Sequence, residues 1–152
     1  MDKETNIGRV LLILGASVNF AIAILHVGIV IAGEPAYLYF GAASLARLAS
    51  AGSSLPAAAT LFLAVIFAGF GFYALAGARL FPRLPLLTVG LTSIGTIYTL
   101  RGLILIPDLI RLVNNAGYPP RQTVLSAVAL GIGVLYLAGT ILQRASLRRM
   151  RR

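Results

Sequence analysis

Residues 85–108 read PLLTVGLTSIGTIYTLRGLILIPD, an apolar run bounded by prolines, with Arg101 near its far end. About 20 consecutive apolar residues cross the ~30 Å hydrocarbon layer of a bilayer. A guanidinium stays charged at any accessible pH and is costly inside that layer, so Arg101 calls for a partner. On one continuous helix Tyr98, Arg101 and Asp108 would share a face, and either Glu34 or Asp108 could supply a carboxylate.

The rest of the chain shares this character. Of 152 residues, 59% are hydrophobic and only 11% charged, against roughly 25% charged in a soluble domain. Mean hydropathy is +0.91. Runs near twenty residues favour helices over barrel strands, which alternate over about ten. Four such runs, at about 10–32, 57–78, 85–106 and 123–142, predict an all-α integral membrane four-helix bundle forming a single domain. The first run exceeds the apolar core of a signal peptide and reads as an uncleaved span after a short mixed-charge leader.

Between the first two spans, residues 33–56 mix aromatic and small residues with few charges. Leu38, Leu45 and Leu48 with Tyr37 and Phe40 follow helical spacing. A short interfacial helix is expected there, with Tyr37 and Tyr39 at headgroup level. Gly52, Ser53, Ser54 and Pro56 form the turn into span two. Arg79 to Pro85 makes a tight basic turn joining spans two and three as an antiparallel hairpin, and Pro107 to Arg121 reads as a loop.

With four spans both termini lie on one side. That side carries Lys3, Arg9, Arg79, Arg83, Arg144, Arg148, Arg149, Arg151 and Arg152, the other Arg47, Arg111 and Arg121. Nine basic residues against three predict cytoplasmic termini in a bacterial inner membrane. The same distribution assigns the net charge of +9 and the arginine-rich tail to anionic lipid headgroups rather than nucleic acid.

If Gly33 and Pro107 mark the outer hydrocarbon boundary, His26 lies about 10 Å and Arg101 about 9 Å below it, at one level. Gly15, Asn19, Ala23, His26 and Gly33 make a small or polar face on span one, and Tyr98 and Arg101 another on span three. If these faces meet, His26, Tyr98, Arg101 and Asn19 line an outward-opening pocket with Glu34 and Asp108 at its rim. His26 would exchange protons, and Tyr98 would donate to a carbonyl or quinone-like oxygen. The competing reading makes Arg101 a snorkelling anchor, His26 a packing residue, and Glu34 and Asp108 solvated turn residues. His26 with Glu34-Pro35 and Arg101 with Pro107-Asp108 also form a faint internal echo.

Small residues recur in spans two to four, including the pairs Ala127 with Gly131 and Ala129 with Gly133. They predict close helix packing, with threonine hydroxyls from Thr88 to Thr99 available across helix contacts. The chain has no cysteine, which excludes thiol redox chemistry and thiolate metal sites. A single histidine gives no bis-His haem or zinc site within one chain. No nucleotide loop, G-x-S-x-G or H-E-x-x-H occurs, so the balance is against an enzyme and no cofactor follows.

In layout, with an outer loop after the first span and Arg101-Gly102-Leu103 near the outer end of the third, the chain resembles the small bacterial inner-membrane proteins grouped as DoxX-like. Its first span departs from the glycine-rich one of that group. The resemblance implies quinone-linked or accessory roles and carries over no functional residue. The leading expectation is therefore a membrane protein binding an amphipathic, lipid- or quinone-like molecule. Alternatives are a proton-coupled transporter acting as a homo-oligomer and an accessory subunit of a larger membrane complex.

Overall fold

The computed structural model describes residues 3–115 and 117–149, with side chains from residue 4 to 144 apart from 116. It is all-helical: α1 (Lys3–Ala32), α2 (Glu34–Tyr39), α3 (Ala43–Ser50), α4 (Leu55–Gly77), α5 (Leu87–Gly102), α6 (Leu105–Asn114) and α7 (Pro120–Arg149). Four stretches, Glu4–Ala32, Leu55–Gly77, Leu87–Asn114 and Pro120–Arg144, are long and apolar enough to cross a membrane. Large apolar side chains such as Ile24, Phe62, Val65 and Ile141 are exposed, whereas Ala16, Asn19, Ala74 and Ser126 are buried. Small and polar residues inside with bulky apolar ones outside suit lipid as the solvent.

The helices depart from the expected spans for local reasons. Helix α1 begins at Lys3 rather than near residue 10, because nothing between them breaks a helix and Glu4 suits the positive end of the dipole. The 33–56 connection holds two short helices instead of one. Tyr37 is buried rather than displayed, while Tyr39 is exposed. The third span breaks after Gly102 and resumes at Leu105, so Pro107 does not end a helix but sits in the first turn of α6. A proline ring clashes with the carbonyl four residues back and offers it no N–H, and that carbonyl belongs to Leu103, where the break falls. The Ile106 amide takes the Leu103 carbonyl instead. Helix α7 continues to Arg149 through most of the basic tail; positions 150–152 and 116 lie outside the described residues.

Contacts divide the chain into two compact units, residues 17–71 and residues 1–16 with 72–152. In the 17–71 unit, Ile29, Tyr37 and Ala46 form a core that Phe40, Leu45 and Ala49 flank. Tyr37 shares a hydrogen bond of 3.1 Å with the Thr60 hydroxyl. A Cβ on Gly71 would collide with the Phe20 ring, so glycine sets how close α1 and α4 pack here.

The other unit is organised on α5 and α7. A Cβ on Gly102 would fall 2.5 Å from the Leu130 backbone, and one on Gly133 would strike Thr99. The two backbones thus approach at two points three residues, less than one turn, apart on each helix. Leu12 of α1 packs against Gly77 and Gly139, and Tyr136 against Gly15. Gly131, one member of the expected small-residue pairs, has open space beside it. The threonines do not bond across this seam: Thr92, Thr96 and Thr99 each donate to the carbonyl four residues back in α5, a local bond that competes with interhelical ones.

Three helix ends share one motif. After α2, α3 and α4 the next-but-one residue takes a left-handed conformation, its N–H bonds the residue three back, and the following N–H bonds the residue five back. Gly41 (φ 81°) and Gly52 (φ 79°) occupy that position after α2 and α3, but Arg79 (φ 61°) occupies it after α4.

Candidate functional site

Arg101 ends α5 and Asp108 lies in the first turn of α6. The break between these helices turns α6 so that Asp108 meets α7. The Ser126 hydroxyl donates to Asp108 Oδ2 at 2.6 Å, and Arg101 Nη1 donates to the same serine oxygen at 3.0 Å. Arg101 and Asp108 are therefore brought together through Ser126, not by the single helical face expected from the sequence.

A fourth group comes from the loop after α6. Gly117 N–H donates to the Asn115 side-chain oxygen at 3.0 Å, and Tyr118 N–H to the Asn115 carbonyl at 2.9 Å. This turn brings the Tyr118 hydroxyl to Asp108 Oδ1 at 2.5 Å. Each carboxylate oxygen thus accepts from a hydroxyl, which is how a buried charge avoids the full cost of desolvation. Asp108 is 3% exposed, so it is not a solvated turn residue. Donation to Asp108 holds the Tyr118 phenol above its ordinary pKa, with desolvation and the negative charge of Asp108 adding to the effect.

Arg111 follows Asp108 on α6, and its charge also bears on Asp108 and Tyr118. Two arginines against one aspartate leave the cluster with an excess positive charge. Arg101 is exposed, and Ser126 engages one of its nitrogens. Its remaining donors suit an oxygen ligand with planar, fork-like geometry.

Tyr98 stands one turn before Arg101 on α5. It is buried, its ring centroid 6.4 Å from that of Tyr136, at 32°. Asn19, His26 and Glu34 belong to the 17–71 unit. Asn19 is fully buried. His26 donates from Nδ1 to the Ile22 carbonyl at 2.8 Å and stacks obliquely on Phe67 with centroids 4.8 Å apart. Glu34 is exposed in the first turn of α2. Glu34-Pro35 and Pro107-Asp108 each open a short helix, which is the structural content of the sequence echo.

Ser126 and Tyr118 were not singled out by the sequence pattern. The signal for Ser126 was a lone hydroxyl between Val124-Leu125 and Ala127-Val128; nothing local to it says which helix it faces. No group of His, Cys, Asp or Glu able to hold a metal ion occurs among the described residues. The fold and this cluster define a class, the four-span helical membrane proteins. No family model, curated protein or solved structure matches the chain.

Proposed function

We propose that this membrane protein binds the polar head of an amphipathic, lipid- or quinone-like molecule at the Arg101 cluster. The observation that carries this reading is that Asp108 is satisfied by Ser126 and Tyr118, while Arg101 reaches it only through Ser126. The guanidinium is thus oriented but keeps donors to offer at the end of an apolar helix. An anionic or carbonyl oxygen there gains a charge-assisted hydrogen bond, and the ligand's apolar part lies in lipid. The quinone-linked expectation from the DoxX-like resemblance agrees with this chemistry. The excess of basic residues on the opposite loops supports an outer-leaflet position for the site, with both termini cytoplasmic in a bacterial inner membrane.

The test is native mass spectrometry of the protein extracted gently with its own lipids, comparing wild type with Arg101→Ala. A small molecule carried by wild type and lost from the variant is expected, and its mass names the ligand class. Bare chains in both, or a stoichiometric partner protein in both, would overturn the reading and favour an accessory subunit.

A further inference from the structure

A second cationic site lies at the other end of the α5–α7 pair. Thr88, near the start of α5, and Arg101 at its end are about 20 Å apart at 1.5 Å per residue. Near Thr88 the unit forms a half-open cavity of about 370 Å³. Arg79 and Arg83 from the α4–α5 turn and Arg144 from α7 line it, and no acidic residue lines it among the described residues. Leu12, Leu91 and Ala76 give it a buried apolar floor.

The polar lining fits an oxygen-rich anion. Buried Gln143 is held by donating from Nε2 to the Thr5 carbonyl at 3.3 Å. Thr88 is placed differently from the later threonines of α5. No helical carbonyl lies four residues before it, and its hydroxyl has no partner among the described residues. Leu86, which precedes α5, provides no side-chain cap. The turn itself is kept in a costly shape: Arg79 holds the left-handed position that Gly41 and Gly52 fill in the two sister motifs. Arg79 lines the cavity and puts a positive charge on that turn, which a glycine could not do.

We propose that this cavity binds a phosphate group bearing net negative charge, with Arg79, Arg83 and Arg144 taking its oxygens. Three guanidiniums of one sign at one cavity repel one another until an anion neutralises them, and phosphate matches their fork geometry. Its source is either an anionic lipid headgroup, whose first tail carbons would meet the apolar floor, or a soluble phosphate compound.

The full chain in neutral detergent is titrated with phosphatidic acid, phosphatidylcholine and inorganic phosphate, with binding read by native mass spectrometry and thermal shift. Wild type is compared with Arg79→Gly/Arg144→Gln and with Arg9→Gln/Arg47→Gln, which loses the same charge elsewhere. Arg79→Gly keeps the turn folded, since glycine suits that backbone, and Arg83→Gln in exposed loop gives an independent variant. Phosphatidic acid binding should weaken about tenfold or more in the cavity variants alone. Binding confined to the lipid identifies a headgroup site, and equal binding of inorganic phosphate identifies a soluble ligand; either supports the phosphate site. Equal loss in the cavity and control variants, or no preference for phosphatidic acid or phosphate over phosphatidylcholine, would overturn it.

Discussion

Ser126 donates to Asp108 across 2.6 Å and accepts from Arg101 at 3.0 Å. One hydroxyl on α7 therefore fixes the end of α5 and the start of α6 together, across the break that Pro107 imposes.

Ser126→Ala removes both bonds and leaves Asp108 with Tyr118 alone. Thermal unfolding in detergent should shift down by roughly 3–8 °C, and ligand retention at Arg101 should fall with it. An unchanged melting temperature would show that water replaces the serine at no cost.

Tyr118 gives a pH test. Its folded pKa is raised above the unfolded value of about 10, chiefly because it donates to Asp108. Its contribution to stability is therefore complete below about pH 10 and is lost as pH rises through the folded value. In a tyrosinate absorbance titration, the difference between wild type and Tyr118→Phe should show a transition above pH 10. In an Asp108→Asn background the same difference should move down toward 10. A Tyr118 transition at its ordinary pH in wild type would mean that the bond to Asp108 is absent.

The α5–α7 seam predicts opposite results at two glycines. Gly102→Ala drives a methyl into the Leu130 backbone and should cost about 1–3 kcal/mol. Gly131→Ala meets nothing within 4 Å and should change stability by less than about 0.5 kcal/mol. Equal melts for the two variants would mean the helices do not meet at Gly102.

At the α4 end, Arg79→Gly relieves a left-handed conformation that costs a non-glycine residue about 1 kcal/mol. The variant should melt at a higher temperature than wild type, read by calorimetry without added lipid. A lower melt would mean that Arg79 contributes more through the helix dipole than its backbone costs.

In the 17–71 unit, Tyr37→Phe and Thr60→Val each remove one side of a buried hydrogen bond. A double-mutant cycle should give a coupling of about 0.6–1.7 kcal/mol, the range for such bonds within membrane helices. Strict additivity would show that the two hydroxyls do not meet.

Much of the helical layout could be read from the chain, because lipid demands long apolar helices and their lengths are set by the bilayer. The break at Leu103 is readable in principle from Pro107, but a proline at the end of an apolar run marks a span boundary equally well. The candidate site was readable only in part. Arg101 and Asp108 declared themselves by being charged in an apolar run. Ser126 and Tyr118 are common residue types whose role depends on which helix faces which, and hydropathy does not encode that. The burial of Tyr37 was hidden for the same reason: its amphipathic ring suits a headgroup layer and a buried bond to Thr60 equally well.

The seam at Gly102 and Gly133 acts as a gauge. With backbone against backbone at Leu130 and Thr99, neither helix can slide past the other by a turn of about 5.4 Å. The separation of about 20 Å along α5 between its two cationic ends is then a fixed length, shorter than the ~30 Å of an average hydrocarbon layer. The mismatch falls on the lipid, which must thin around the protein, or on arginine side chains that reach outward. Bilayer thickness thus becomes a variable to which occupancy of both ends responds.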